Sequence, residues 1–403
     1  MLPPADWRER PGLLRLLAAL DAGSGATKVV GGAVRDTLLG LPVADVDLAT
    51  RLRPEDVVTR VTDAGMKAVP TGLAHGTITA VTPEGPVEVT TLRRDVATDG
   101  RHAEVAFTDD WQADASRRDF TINALYADPV AGTIDDWFGG LDDLAARRVR
   151  FIGDPLARIA EDHLRILRFF RFHARFGHGE PDAAALAACS ERRNDLLALS
   201  RERKADELLK LLALPDPTPT VALMAKHGIL ACLLPEMDGD AIERLARLIR
   251  REQSFAIPPQ ALRRLAALLP HDPVAADAAG GRLRLSNHAR ALLRALATPA
   301  PAGRPPRRIA AEVDHADPRD LFLLADFDDD ELATAIASLS GWEVPGFPIK
   351  GGDIVALGLR PGPKVAALLA KLQADWVEAD FPDELWVRAR AADLVAEALR
   401  ERK

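Results

Sequence analysis

The chain has 403 residues, of which 47% are hydrophobic, enough for an ordinary core and two to four domains. The formal net charge is −8, which disfavours a chain that binds nucleic acid over its whole surface. Cys189 and Cys232 form no C-x-x-C pair, so a zinc site or disulfide framework is not expected. Without a targeting peptide or an apolar run of about 20 residues, we expect a cytoplasmic protein with no membrane partner.

In chain order, the first elements predict a mixed α/β structure. The sequence "TKVVGG" predicts a strand ending in a glycine turn, and "AVRDTLLG" predicts a helix that ends at Gly40. The alternation in "VADVDLAT" indicates a strand with one solvated face, and "GTITAVTPEGPVEVTTLR" is typical of a hairpin. The polar residues 96–116 predict a mobile loop, followed by a short helix from about Phe120.

The composition changes after about Asp142, where Ala, Leu and Arg dominate and β-branched residues become scarce. The stretch "PAPAGRPPR" at 299–307 is typical of a linker. We therefore predict an α+β multidomain protein, with an α/β head on a mixed sheet and an all-helical remainder. The predicted parts are a head (1–142), a neck (143–212), a body (213–300) and a tail (301–403).

Two aspartates in "VVGGAVRDTLLGLPVADVDLAT" are the most informative residues. Asp45 and Asp47 are two positions apart on a predicted strand, so both carboxylates face the same side. Such like charges are stable mainly when a divalent cation neutralises them, and oxygen ligands suit Mg²⁺. The Gly31-Gly32 turn and Arg35 upstream favour an anion such as a triphosphate. The alternative is a solvated strand edge after an ordinary turn.

The order G-G-x-V-R-D and then D-x-D resembles the nucleotidyltransferase superfamily that includes DNA polymerase beta. Its specific form resembles the class II tRNA nucleotidyltransferases (CCA-adding enzymes) and the bacterial poly(A) polymerases. The resemblance implies that Asp45 and Asp47 bind the catalytic Mg²⁺, and that Gly32 and Arg35 bind the incoming nucleotide. It also makes Glu88 in "VEVTTLR" a candidate third carboxylate, with a solvent-facing strand residue as the alternative.

A second arginine block, "RRDFTINAL", follows the head motif. Two arginines beside a helix start can bind a triphosphate bidentately, and Asp119 can cap a helix that begins at Phe120. The resemblance implies that Arg118, together with Arg117, contacts the nucleotide. It also implies that the polar loop before this block moves when the enzyme switches from C to A addition. A surface charge cluster is the alternative for a bare R-R-D.

The stretch "GDPLARIAEDHLRILRFFRFHARFG" predicts one helix from Asp154 to Gly177, inside a segment that carries eight arginines against three acids from Arg147 to Arg175. On a helical wheel, one face would be buried and the other would carry the charged residues. The predicted buried face consists of Leu156, Ala160, Leu164, Leu167 and Ala174; the other carries Glu161, Asp162, Arg165, Arg168 and Phe172.

Asp162 and Arg165 are neighbours on this predicted helix, and they offer a way to choose a base. An ionised Asp only accepts hydrogen bonds and Arg only donates them, so the pair matches the amine and ring nitrogen of C and A. G and U present the opposite order and would leave both groups unpaired, which rejects them by about 10⁴. The alternative is an ordinary helical salt bridge.

The motif E-D-x-L-R-x-x-R resembles the nucleotide-recognition motif of the same family, which extends the implied nucleotide contacts to Arg168 and Arg171. "LSRERKADELLKLL" resembles the helix that braces it, where Glu202 and Arg203 would be structural. The resemblance implies addition of C, C and A to the 3′ end of tRNA from CTP and ATP. The tRNA acceptor arm is then the expected partner, and no obligate protein partner is evident.

Three alternatives to full CCA addition remain open at this stage. A poly(A) polymerase would use the same chemistry, although the acidic balance and the plain "RERK" end disfavour it. A partial enzyme would add only CC or only A. A non-catalytic RNA-binding relative would be expected to lose one aspartate of the pair, and both are present.

Overall fold

The computed structural model describes residues 1–98, 103–298, 300 and 303–400. The chain forms two compact units, Met1–Pro235 and Glu236–Lys403. The first unit contains a mixed sheet and helices, and the described part of the second contains helices and no strand. This confirms the predicted α/β head with a helical remainder. The four-part division into head, neck, body and tail stays a prediction.

In its described residues, the first unit contains nine strands and ten α-helices. The strands are β1 (Thr27–Val30), β2 (Asp47–Thr50), β3 (Lys67–Gly72), β4 (Thr77–Thr82), β5 (Gly85–Thr91), β6 (Arg93–Thr98), β7 (Ala103–Phe107), β8 (Tyr126–Ala127) and β9 (Ile134–Asp135). The helices are α1 (Pro11–Ala19), α2 (Gly32–Leu38), α3 (Pro54–Asp63), α4 (Trp111–Ser116), α5 (Gly140–Ala145), α6 (Pro155–Glu161), α7 (Arg165–Phe176), α8 (Ala183–Glu191), α9 (Arg201–Leu212) and α10 (Thr218–Lys226).

Seven strands form one sheet in the order β3-β4-β5-β2-β1-β8-β9, and β6 pairs with β7 as a separate ribbon. The pair β2–β5 is parallel and the other pairs are antiparallel, so the sheet is mixed, as predicted. One row of paired residues, Tyr126–Val30–Asp47–Glu88, crosses four adjacent strands. Paired residues of neighbouring strands project to the same face, so this row places charged groups beside a buried core.

The segment predicted as a mobile loop contains strand and helix in its described residues, so the prediction of a loop is wrong there. Strands β6 and β7 pair from Arg93 to Phe107, and α4 begins at Trp111 with Asp110 as its N-cap. The sequence "VAF" has the β-branched and apolar composition that favours a strand, and the prediction of a loop rested on the polar residues around it. The Asp99-Gly100-Arg101 stretch lies outside the described residues.

The helix predicted from Asp154 to Gly177 is broken in two. Asp154 caps α6 through a 2.8 Å bond from the Ala157 amide, as predicted, but α6 ends at Glu161. Asp162 is extended (φ −151°, ψ 107°), and its carboxylate accepts from the Leu164 amide before α7 begins. An aspartate that bonds a nearby backbone amide competes with helix continuation.

The break changes which residues are buried. Leu156 and Ala160, predicted as core, are exposed, and Phe172, predicted on the charged face, is buried. The buried side of α7 is aromatic and aliphatic, because the helical phase restarts after the break. It consists of Ile166, Leu167, Phe169, Phe170, Phe172 and Phe176.

The second unit consists of ten helices in its described residues. They are α11 (Ala241–Ser254), α12 (Ala261–Ala267), α13 (Pro273–Arg282), α14 (Asn287–Leu296), α15 (Pro306–Glu312), α16 (Pro318–Leu324), α17 (Asp329–Ser338), α18 (Gly351–Ala356), α19 (Pro363–Glu378) and α20 (Glu384–Arg400). Buried Glu252 on α11 accepts from both Arg263 and Arg264 on α12, each at 2.7 Å. Within the described residues, none of these or the earlier helices has the length and apolarity needed to cross a membrane.

Candidate active site

One cavity of about 860 Å³ in the first unit collects the predicted site residues. All ten of them line it: Gly32, Arg35, Asp45, Asp47, Glu88, Arg118, Asp162, Arg165, Arg168 and Arg171. Eleven further residues share the lining, among them Gly31, Asp119, Asn123 and Phe172. Motifs separated by up to 139 positions of sequence therefore meet in one cleft, from Gly32 to Arg171.

The carboxylates lie at one end of the sheet. Asp47 is the first residue of β2 and pairs with Glu88 on β5, whereas Asp45 precedes the strand. The prediction that both aspartates belong to a strand is therefore wrong for Asp45, because the chain becomes extended and paired only at Asp47. Partial desolvation in the cleft and repulsion from Glu88 and Asp45 raise the pKa of Asp47, against the attraction of Arg118.

The carboxylate oxygens of Asp45, Asp47 and Glu88 are suitable ligands for a hard cation. The repulsion that raises the pKa of Asp47 is relieved when a divalent ion binds, and carboxylate oxygens are the ligands that Mg²⁺ prefers. In the part of the chain that the structure describes, no cluster of three or more His, Cys, Asp or Glu side chains suffices to hold a metal alone. Because Mg²⁺ usually keeps waters and takes substrate phosphates as ligands, two carboxylates are sufficient for this ion.

The glycine turn shapes the wall next to the carboxylates. Gly31 has φ +70°, which favours glycine, and it is the N-cap of α2. Arg35 on α2 is buried; it donates to Asp36 at 2.8 Å and to Asn123 at 2.5 Å, and lies 4.0 Å from the centre of the Phe176 ring. Burial lowers the pKa of Arg35 despite the opposing effect of Asp36. Arg35 is therefore fixed in the wall rather than extended into the cleft.

Arg117 and Arg118 are held by one buried acid, Asp114 of α4. Its Oδ1 accepts from Arg117 Nε and Nη2 at 2.9 and 2.7 Å, and its Oδ2 accepts from Arg118 Nη2 at 3.4 Å. Burial alone would raise the pKa of Asp114, but the two arginines and the Tyr126 hydroxyl lower it. The sequence contains a signal for this contact, since Asp114 precedes the arginines by three and four positions.

Asp119 has a different role from the one predicted. Its Oδ1 accepts from the Phe120 amide and from Asn123, and its Oδ2 accepts from Arg168 at 2.5 and 2.8 Å. The helix expected from Phe120 is a single 3₁₀ turn, Thr121–Asn123, without a side-chain cap. Asp119 thus mainly orients a neck arginine toward the cleft.

Asp162 and Arg165 line the same cleft but are not bonded to each other through their side chains. Asp162 Oδ2 accepts from Arg203 of α9 at 2.8 Å. Arg165 donates to Glu161 at 2.5 Å and to the carbonyl oxygens of Arg158 and Arg117 at 2.8 and 3.0 Å. The salt bridge between neighbours on one helix, considered as the alternative, is thus absent between these two residues, because the helix breaks at Asp162.

The bracing helix α9 contributes a site residue, Glu207, that was not predicted from the sequence. Glu207 is buried and accepts from Arg171 Nε at 2.6 Å, and it lies 3.7 Å from Arg168. Glu207 is the second Glu of E-R-x-x-x-E-L, so the motif itself contained the signal. Arg203 braces Asp162, which agrees with a structural role for that position.

The cleft therefore combines carboxylates at the sheet end with seven arginines: Arg35, Arg117, Arg118, Arg165, Arg168, Arg171 and Arg175. Such a combination suits a polyanion that arrives with a divalent cation, because each charge set neutralises the other. Phosphoryl and nucleotidyl transfer need this arrangement. The fold and the cleft thus define a nucleotide-binding transferase.

Comparisons with known proteins agree with this class. Residues 27–150 match the family model "Poly A polymerase head domain", and residues 180–251 match "Probable RNA and SrmB- binding site of polymerase A". The CCA tRNA nucleotidyltransferase 1, mitochondrial, of Danio rerio is 34% identical over 92% of this chain and 88% of its own length. The CCA-adding enzyme of Lacticaseibacillus paracasei is 31% identical over 92% of both chains.

The fold agrees as well. The crystal structure of the Bacillus stearothermophilus CCA-adding enzyme in complex with CTP superposes with a TM-score of 0.73 and 27% identity, over 98% of this chain and 99% of that one. The chain belongs to the family of CCA tRNA nucleotidyltransferases, the CCA-adding enzymes.

Proposed function

We propose that the cleft is the active site in which this chain, a template-independent nucleotidyltransferase, adds C, C and A to the 3′ end of tRNA. The observation that carries the proposal is the meeting of both aspartates, the glycine turn and the neck arginines in one cavity. CTP and ATP are the nucleotide substrates, as the comparisons support. In each cycle the RNA O3′ bonds to the α-phosphorus, the bond to the β-phosphate oxygen breaks, and pyrophosphate leaves.

We assign the metal to Asp45 and Asp47, with Glu88 as a further candidate beside Asp47. Bound Mg²⁺ would supply positive charge to the reacting phosphate and to the RNA hydroxyl. Arg117 and Arg118 would bind the triphosphate, with Arg118 close to Asp47, and Gly32 would allow close backbone approach. Arg35 would act from the wall, where it keeps the turn and Asn123 in place.

We assign base selection to Asp162 and Arg165 on the neck side of the cleft. Asp162 can accept from the exocyclic amine of C or A, and Arg165 can donate to the ring nitrogen. The break between α6 and α7 separates the two groups, and Arg203 and Glu161 hold one group each. Arg168 and Arg171 would complete the nucleotide contacts from positions fixed by Asp119 and Glu207.

We assign tRNA binding to the acceptor arm and 3′ end, with the helical body and tail as the gripping surface. Support comes from the family and from the match of residues 180–251, the end of the predicted neck and the first part of the body, to an RNA-binding model; the tail is assigned from the family alone. Recognition of double-stranded RNA by phosphates and shape suits a surface without sequence-reading elements. The cytoplasm remains our prediction for its location; the two unpaired cysteines support a reducing compartment, whereas the Danio rerio relative is named as mitochondrial.

The test is nucleotide addition to a tRNA transcript that lacks its last three residues. The reaction contains Mg²⁺ with CTP, ATP or both, and the 3′ ends are sequenced. We expect CC with CTP alone, and CCA followed by a stop with both. A long A tail would instead indicate a poly(A) polymerase, and addition that stops at CC or adds only A would indicate a partial enzyme. When UTP or GTP is supplied instead, Asp162→Ala is expected to incorporate U or G where wild type does not.

A further inference from the structure

Arg117 and Arg118 are held by one buried pair, Asp114 and Tyr126, which we call the anchor. The Tyr126 hydroxyl donates to Asp114 Oδ2 at 2.5 Å and accepts from Arg118 Nε at 2.9 Å. Asp114 also accepts from Arg117 and from the Arg93 amide, so its carboxylate is surrounded by donors. Neither Asp114 nor Tyr126 lines the cleft, whereas both arginines do.

These bonds fix the orientation of both guanidinium groups. A guanidinium is planar, so holding its Nε and Nη2 edge also orients Nη1. Nη1 of Arg118 lies beside the glycine turn, 3.6 Å from the point that a Cβ on Gly31 would occupy. Two arginines on one aspartate leave one net positive charge for the cleft, which a triphosphate can use.

The sheet connects the pair to the carboxylates. Tyr126 on β8 pairs with Val30 on β1, and Val30 pairs with Asp47 on β2. Tyr126 therefore lies two strands away from Asp47 of the proposed metal site. Asp114, Tyr126 and Asp47 all attract Arg118 and keep its pKa above the ordinary value, although burial alone would lower it. The anchor thus acts on the arginine next to the metal-binding group.

We propose that Asp114 and Tyr126 are positioning residues that hold Arg117 and Arg118 in the orientation that binds the triphosphate of CTP and ATP. This proposal rests on the proposed function of the cleft. A purely packing role is the competing account, because the Tyr126 ring packs edge-on against Trp111 and Trp137. Tyr126→Phe separates the two accounts, since it keeps the ring and removes only the hydroxyl.

The experiment compares steady-state kinetics of the full chain with Tyr126→Phe on the truncated tRNA transcript. We expect the KM for both CTP and ATP to rise about tenfold, the effect of losing one hydrogen bond to a charged group. The kcat should change much less, because the arginines bind substrate and transition state alike. The inhibition constant of inorganic tripolyphosphate should rise by the same factor as KM. Asp114→Asn should give a larger rise.

Two variants serve as matched controls. Thr27→Val removes a buried hydroxyl of the same sheet that donates to Leu20 O at 2.7 Å. Asp143→Asn weakens a buried carboxylate that accepts from Arg148 and Arg150 at 2.7 and 2.9 Å but does not line the cleft. Both should lower the thermal midpoint while leaving the KM and the tripolyphosphate constant within about twofold, the usual range for a site without substrate contact.

Tyr126 is the only tyrosine of the chain, so incorporation of ¹³Cζ-tyrosine gives one NMR signal at the anchor. We expect tripolyphosphate to shift this signal in wild type, and to shift it less in Arg118→Ala. Unchanged KM and tripolyphosphate constants in Tyr126→Phe would overturn the positioning role while leaving the proposed function intact. If wild type added no nucleotide, the proposed function would fail, and the NMR titration with tripolyphosphate, which needs no activity, would still test whether Asp114 and Tyr126 position the arginines.

Discussion

At the residue scale, the cleft arginines are held by acids from elsewhere in the sequence. Asp119 binds Arg168 across 49 positions, and Glu207 binds Arg171 across 36. The sequence indicated that both arginines belong to one site, because their motif is local, and both line the cleft. It did not indicate Asp119 or Glu207 as their partners, because pairing at such separations depends on how the elements pack.

The Asp119–Arg168 pair makes the free energy of unfolding depend on pH. Burial alone would raise the pKa of Asp119, but Arg168 and Asn123 lower it overall. A lowered folded-state pKa means that the stabilisation is present above the unfolded-state value of about 3.9 and is lost as the pH falls through the folded-state value. Asp119→Asn should therefore cost about 3 kcal/mol of unfolding free energy at pH 7, and the difference should vanish in acid.

Urea unfolding of wild type and Asp119→Asn between pH 7 and pH 2 measures this dependence. Asp206→Asn is the control, because its pair with Lys210 is more than half exposed and should contribute little at any pH. A difference for Asp119→Asn that stays constant across the pH range would show that the carboxylate charge does not stabilise the fold.

At the element scale, the turn between β1 and α2 sets how close a ligand can approach. The dipeptide Gly31-Gly32 was correctly predicted as a turn before a helix, since glycine pairs at the end of a β-branched run are a local signal. The break between α6 and α7 was not predicted. Helical periodicity continues through the sequence there, and only the bond from the Leu164 amide to Asp162 reveals the competing conformation.

Gly31→Ala tests the turn. A residue with a side chain at φ +70° costs about 1–2 kcal/mol, so the unfolding free energy should fall by that amount. The added methyl would also lie 3.6 Å from Arg118 Nη1, in the space where a phosphate is expected, so the KM for CTP and ATP should rise several-fold. Kinetics and thermal unfolding measure the two effects.

Gly25→Ala separates strain from ligand approach. Gly25 has a similar φ of +78°, and no atom lies within 4 Å of its added methyl. Gly25 has ψ 13°, in the left-handed helical region, whereas Gly31 has ψ −122°, so we expect a loss of stability no larger than that of Gly31→Ala, with an unchanged KM. An unchanged KM in Gly31→Ala as well would mean that no phosphate lies against the turn.

At the scale of the whole molecule, more of the head than of the second unit could be predicted from the sequence. The head carries motifs whose spacing is tied to chemistry, such as D-x-D and R-R-D. The second unit depends on packing and on a buried ion network, in which Glu252 pairs with Arg263 and Arg264, and Arg263 also pairs with Asp320. The sequence shows these residues only as ordinary charges on amphipathic helices.

Glu252→Gln tests that network. Removing the charge leaves two buried arginines with a weaker partner, which should cost about 3–5 kcal/mol. Hydrogen exchange should accelerate in α11 and α12, and Glu397→Gln, at an exposed position of α20, should leave it unchanged. Equal exchange in wild type and Glu252→Gln would show that the network does not hold these helices together.

The most direct test of the central claim is nucleotide addition to truncated tRNA as a function of Mg²⁺ concentration. It compares wild type with Asp47→Asn, Glu88→Gln and the exposed control Glu55→Gln. We predict that Asp47→Asn abolishes addition of both C and A at every Mg²⁺ concentration while tRNA binding is retained, and that Glu55→Gln matches wild type. Glu88→Gln should need more Mg²⁺ if it is the third carboxylate. Wild-type activity in Asp47→Asn would contradict the assignment of the metal and of the active site.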